Sequence, residues 1–220
     1  MQFKAAIFDL DGTLVDSLML WDILWERFGI RYRDDAGFRP TEADDKAVRT
    51  MPLKEAMHMI HEQYQLAETG EALLDEANRI MRDFYATEVQ LKSGVRTFLE
   101  HCRQTGVKMC VASATAPDLL DVAMKHTDIA KYFSRVFSCA ELGLGKDKPD
   151  IFLLAQSYVN EPVEDVCVFE DSLVAIETAA GIGMKTVAIY DRFNFGQERM
   201  RALADVYVAD GESLTKLIEA

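Results

Sequence analysis

The chain has 220 residues, 49% hydrophobic and 28% charged, with 24 Lys and Arg against 37 Asp and Glu and a formal net charge of -13. That length suits a core domain with an insertion, and the composition excludes a disordered or fibrous chain. The acidic excess excludes a broad nucleic-acid backbone footprint, which needs clustered Lys and Arg, and no apolar run is long enough to span a bilayer.

Residues 3–8 form an apolar run that reads as a buried strand. From residue 17 to about residue 89 the periodicity is helical throughout, in four pieces at 18–28, 42–49, 53–64 and 71–86. Thr41 and Asp44 have the spacing of a capping box, and Pro52 suits a first helical turn. The rest alternates: helix 95–104, strand 107–112, helix 116–126, strand 136–138, helix 150–159, strand 166–169, helix 173–180, strand 186–189, helix 196–203, strand 206–208, helix 213–218. Alternation of this kind builds a parallel sheet covered by helices. The expected fold class is therefore α/β, a Rossmann-like core from 1–16 and 90–220 with an inserted helical cap at 17–89, hinged near 14–17 and 91–94.

Cys102, Cys110, Cys139 and Cys167 have no CxxC spacing and read as reduced core thiols. The N-terminus enters strand-like sequence directly, so a cytoplasmic, unanchored monomer or homodimer is expected.

In open parallel sheets ligands bind beyond the carboxyl ends of the strands, which singles out polar residues just after a strand. Three such ends qualify: Phe8-Asp9-Leu10-Asp11-Gly12-Thr13, Ala112-Ser113-Ala114-Thr115 and Phe169-Glu170-Asp171-Ser172. Two-residue spacing puts Asp9 and Asp11 on one side of an extended strand end, and Gly12 permits a sharp turn. With Glu170 and Asp171 they gather up to four negative charges, each pair repelling by about 1 kcal/mol in water and several-fold more at lower dielectric. Such a cluster needs a cation. Carboxylate oxygens favour magnesium, and nothing nearby supplies the His or Cys ligands that zinc prefers. Lys146, in the loop before a helix, would add a second positive charge, and Ser113 would donate to a phosphoryl oxygen. A metal-bound carboxylate stays ionised and nucleophilic while a neighbour holds a proton, so Asp9 is expected to attack and Asp11 to move protons.

These residues resemble the haloacid dehalogenase superfamily, in particular its phosphatases and sugar phosphomutases with a helical cap after the first strand. The resemblance covers nearly the whole chain: Asp9-Leu10-Asp11-Gly12-Thr13-Leu14-Val15-Asp16-Ser17 matches the first motif, Ser113 the second, Lys146 the third and Glu170-Asp171-Ser172 the fourth. It implies magnesium held by Asp9, the main-chain carbonyl of Asp11 and the side chain of Asp171, with Glu170 outside the ligand set. It also implies a phosphate cradle of Gly12, Thr13, Ser113, Ala114 and Lys146. The third motif departs from the family's Lys-Pro-x-Pro-Asp: here it is Lys146-Asp147-Lys148-Pro149-Asp150. Alignment on Pro149-Asp150 selects Lys146, with Lys148 as the alternative.

The resemblance implies a magnesium-dependent phosphatase for a small phosphorylated metabolite such as a sugar phosphate or phosphoglycolate, working through a phosphorylated Asp9. The alternatives are a sugar phosphomutase and a non-enzymatic phospho-acceptor similar to a response-regulator receiver. Dehalogenation is not expected, because the dehalogenases lack an acid at the Asp11 position. Plainer readings hold for features outside the motifs. His58 and His61 have no third ligand spaced to join them. Met51, Met57, Met59 and Met81 fill a helical interior, and Trp21 and Trp25 pack at helical spacing.

Overall fold

The computed structural model describes residues 1–49 and 51–218. Eight strands are found among them: β1 (Ala5–Phe8), β2 (Val15–Asp16), β3 (Gln90–Leu91), β4 (Lys108–Ser113), β5 (Arg135–Ser138), β6 (Val166–Glu170), β7 (Lys185–Ile189) and β8 (Val206–Val208). Six of them form one sheet in the order β5-β4-β1-β6-β7-β8, every neighbouring pair parallel. All four residues of β1 are buried, as expected of a strand covered on both faces. The short β2 and β3 pair antiparallel, Val15 opposite Leu91. Two residues each are too few to show alternation, so the sequence reading missed them.

The described chain divides into two compact units, Met1–Leu18 with the chain from Val89 onward, and Met19–Glu88. Ser17 sides with the first unit through a 2.6 Å hydrogen bond from its hydroxyl to Asp11. The second unit holds α1 (Leu20–Arg33), α2 (Glu42–Val48), α3 (Leu53–Tyr64) and α4 (Gly70–Thr87). Helix α1 runs past the expected end at residue 28. Gly29 inside it lets the chain fold back closely after the helix, since a Cβ there would lie 2.0 Å from the carbonyl oxygen of Asp35. Pro52 sits just before α3 rather than inside its first turn. Thr41 caps α2, accepting from Asp44 N at 3.2 Å, but the return arm of the expected capping box is replaced by Tyr64. The Tyr64 hydroxyl accepts from Thr41 N at 2.8 Å and donates to Asp44 at 2.6 Å.

Within this unit Trp25 is buried and its indole N–H donates to Asp45 at 2.6 Å, with Arg49 on the same carboxylate at 2.9 Å. His58 pairs with Glu71, and His61 bonds the carbonyl of Leu66. Of the four methionines expected to fill this interior, Met57 is fully buried, whereas Met51, Met59 and Met81 are half-buried.

The first unit carries α5 (Val95–Gln104), α6 (Pro117–His126), α7 (Cys139–Leu142), α8 (Asp150–Val159), α9 (Leu173–Gly181) and α10 (Gln197–Leu203). The single turn α7 was not foreseen; Ser138 caps it, accepting from Glu141 N, and Gly143 closes it. Residues 213–218 form a 3₁₀ turn, Leu214–Leu217, instead of the expected α-helix, since so short a segment does not repay helix nucleation. One side of the sheet packs Ile7, Cys110, Val166 and Val168 against Ile151, Phe152 and Ala155 of α8 and Ala175 and Ala179 of α9. Phe8 stacks on Phe169 at 4.4 Å and meets Phe98 and Phe133 edge-on, burial worth about 1.5–3 kcal/mol for such a side chain. The residue before Asp9 is thus locked in an aromatic cluster.

All four cysteines are free and buried. Burial pushes the Cys102 and Cys110 thiols up to about 12. A thiol of that pKa is about one part in 10⁴ thiolate near pH 8. Native protein should therefore leave Ellman's reagent unreacted and release its thiols only on denaturation; a fast native phase would show one of them exposed. No helix among the described residues is long and apolar enough to cross a membrane.

Candidate active site

Because β4, β1 and β6 lie side by side and parallel, their carboxyl ends open on one edge of the sheet. Phe8 stands opposite Val111 and Phe169, so Asp9 emerges between the chain leading to Ser113 and the Glu170-Asp171 pair. Asp9 N still donates to the carbonyl of Phe169 at 3.0 Å. Beyond it the chain turns tightly, the carbonyl of Leu10 accepting from Leu14 N at 2.8 Å and Val15 N at 3.0 Å. Gly12 makes this possible: its φ is +73°, and a Cβ there would lie 2.1 Å from Asp171 Oδ2. Any side chain at residue 12 would displace the Asp171 carboxylate.

Asp9, Glu170 and Asp171 are buried, and each offers an oxygen within 4.8 Å of the others. Lys146 Nζ stands 2.8 Å from Asp9 Oδ1 and donates a hydrogen bond to Glu170 Oε1. Lys148 is exposed, so the lysine at the acids is Lys146. Burial opposes the Lys146 ammonium, yet the Asp9 and Glu170 charges outweigh it and hold its pKa above the ordinary lysine value. Burial raises the carboxyls of Glu170 and Asp171, and the nearby acids add to the shift. One ammonium facing three carboxylates leaves the group short of positive charge. A buried, all-oxygen donor set with excess negative charge fits a hard divalent cation such as magnesium.

The Asp11 side chain lies outside that trio. Its Oδ1 accepts from Ser17 Oγ and its Oδ2 from Thr115 Oγ1, both at 2.6 Å. Ser113 ends β4 in a buried position and accepts a long bond, 3.4 Å, from Thr115 N, while Ala114 is exposed. Thr13 is fully buried, and its hydroxyl donates to Asp171 Oδ1 at 2.8 Å. Glu170 Oε2 accepts the main-chain N–H groups of Asp171 and Ser172, both at 3.1 Å. Three neighbours were given no role by the sequence reading: Ser17 and Thr115, which lie within its motifs, and Asn194, whose side-chain amide donates to Asp171. Asn194 follows β7, so extending the strand-end rule to a fourth strand would have found it.

A phosphorylated carbohydrates phosphatase of Thermotoga maritima is 26% identical over 217 residues, covering 98% of this chain and 99% of that protein. A probable pseudouridine-5'-phosphatase of Drosophila melanogaster is 28% identical over 191 residues, 84% of this chain and 80% of its own length. A crystal structure from Thermotoga maritima, provisionally described as a beta-phosphoglucomutase, superposes with a TM-score of 0.82 at 26% identity over 100% of both chains. Residues 3–183, which run from β1 past the acids of β6 and so take in the carboxyl ends of β1, β4 and β6, match the haloacid dehalogenase-like hydrolases, and the chain is an enzyme of that family.

Proposed function

We propose that this enzyme hydrolyses the phosphate monoester of a small phosphorylated metabolite, a sugar phosphate or a phosphoglycolate-like acid, with Asp9 as nucleophile. The observation that carries the reading is Asp9 itself: a buried carboxylate at the end of the central strand, its Oδ1 2.8 Å from the Lys146 ammonium and two more acids beside it. Asp9 attacks phosphorus, the bond to the leaving oxygen breaks, and Asp11 protonates the departing alkoxide. Asp11 then takes a proton from water, which attacks the phosphorylated Asp9 and releases inorganic phosphate. Lys146 and Ser113, with the main chain of Gly12, Thr13 and Ala114, hold the phosphoryl oxygens as charge shifts among them.

Asp9, the main-chain carbonyl of Asp11 and Asp171 would hold magnesium, with Glu170 fixing Lys146. The chemistry supplied by the bound ion is charge neutralisation at the phosphoryl oxygens. Ser17 and Thr115 fix both oxygens of Asp11. In this reading the unit of residues 19–88 selects the leaving group, and the first unit handles the phosphoryl group. Family membership as a hydrolase leaves no place for the receiver-like acceptor. The mutase remains the second reading, favoured by the Thermotoga maritima structure described as a beta-phosphoglucomutase.

The test is a screen of phosphorylated metabolites for magnesium-dependent release of inorganic phosphate, run beside an assay for hexose phosphate isomerisation. Hydrolysis without isomerisation is expected. Isomerisation without net phosphate release selects the mutase, and turnover undiminished by EDTA removes the metal from the reading.

A stability experiment probes the same acids. Glu170 is raised from 4.5 to about 7 by burial, with Asp9 adding and Lys146 opposing, and Asp171 is raised as well. The folded, metal-free protein therefore holds protons that the unfolded chain gives up. That stability is complete below about pH 4.5 and is lost as pH climbs through about pH 7. In EDTA the melting temperature should fall between about pH 5 and pH 7.5, and magnesium should raise it most at the upper end, where fewer protons compete. A melting temperature rising across that interval in EDTA would contradict the raised acids.

A further inference from the structure

The turn between β7 and α10, residues 190–196, is tied down more firmly than an ordinary surface connection. Asp191 is buried and pairs with Lys92 at 2.7 Å, their side chains only 2% and 16% exposed. Lys92 also donates to the carbonyl of Tyr190 at 2.9 Å, while Asp191 Oδ1 accepts from Phe193 N at 2.9 Å. Asn194 N donates to the carbonyl of Asp191 at 3.1 Å. The Gln197 side-chain amide then donates to the carbonyls of Asp191 and Asn194, at 2.9 and 3.2 Å. A largely desolvated ion pair is a poor source of net stability compared with apolar packing, so what it delivers here is geometry.

The group held by that geometry is the Asn194 side chain. Its Nδ2 donates to Asp171 Oδ2 and, at 3.0 Å, to the main-chain oxygen of Asp171. Thr13 donates to the other carboxylate oxygen at 2.8 Å. Two donors on opposite oxygens fix the rotation of the carboxylate, and the Gly12 backbone packs against it. Both donors also favour the charged form that burial and the neighbouring acids disfavour.

We propose that Asn194 is a positioning residue for Asp171, aiming its carboxylate at the space shared with Asp9, and that the Lys92–Asp191 pair holds Asn194 in place. The inference rests on the divalent-cation site of the proposed function. Outer partners of metal ligands typically change metal affinity about 10- to 100-fold when removed.

The test is a titration of EDTA-stripped protein with Mn²⁺, the free ion followed by electron paramagnetic resonance. Asn194→Ala should bind Mn²⁺ about tenfold more weakly than the unsubstituted protein, and Asn194→Ser, which keeps a donor, should fall between them. Asp191→Asn should weaken binding about threefold without touching the acids. Mn²⁺ affinity unchanged in Asn194→Ala overturns the inference and leaves the hydrolase reading intact. Equal losses in the Ala and Ser variants, with a matching drop in melting temperature, assign Asn194 a purely structural role and overturn it too. Unsubstituted protein that binds no Mn²⁺ overturns both readings.

Discussion

Asp9→Asn removes turnover of p-nitrophenyl phosphate, by about 10⁴-fold or more, while the protein stays folded. The amide is nearly the size of the carboxylate it replaces, but it is too weak a nucleophile to attack phosphorus. Above about pH 7, where Glu170 ionises beside it, the same change also deletes one of the buried negative charges that face a single ammonium. In EDTA it should therefore raise stability by roughly 1 kcal/mol, a gain of about 2–4 °C in melting temperature for a chain of this size. Loss of activity with preserved or raised stability is the signature of a functional acid cluster, since a structural carboxylate would lose stability when neutralised. Retained turnover in Asp9→Asn would end the proposed mechanism.

Lys146→Met separates two roles of one side chain. Its ammonium lies between Asp9 and Glu170, with only 12% of the side chain exposed. Removing one member of a buried charged group leaves the others uncompensated, which costs about 3–5 kcal/mol. Metal-free protein should show most of that loss, and magnesium should restore part of it. Turnover at saturating magnesium should still fall by about 10²- to 10³-fold, because a donor to the phosphoryl oxygens is gone. Lys148→Met is the control: its side chain is exposed, so stability should change by no more than about 0.5 kcal/mol. Equal defects in the two variants, measured by thermal melts and phosphate release, would contradict the assignment of the lysine.

The core order of strands and helices was legible because each buried strand is a short apolar run and each covering helix is amphipathic. The clustered acids were legible because Asp9 and Glu170-Asp171 each come at the end of such a run. Strands β2 and β3 were not, since two residues carry no period. Nor was the choice between Lys146 and Lys148, which depends on the path of one loop rather than on residue type. Ser17, Thr115 and Asn194 act through one or two hydrogen bonds each, and a hydroxyl or an amide in a loop has no pattern of its own. Thr13 is a related case: the resemblance gives it to the phosphate cradle, and the bond of its hydroxyl to Asp171 is a further contact that no residue pattern announces.

The middle position of β1 also bears on how the chain is made. Ala5 lies opposite Lys108 on one side and Val166 on the other. Strand β1 is therefore made well before either neighbour and must wait for much of the intervening polypeptide. Residues 19–88 form a compact unit whose helices touch one another locally, and they can fold during that wait. Refolding should thus be biphasic, with a fast helical phase and a slow one that brings the N-terminal segment into register. In a growing chain Asp9 is made well before Glu170 and Asp171, and it comes to lie beside them only once β6 has joined the sheet.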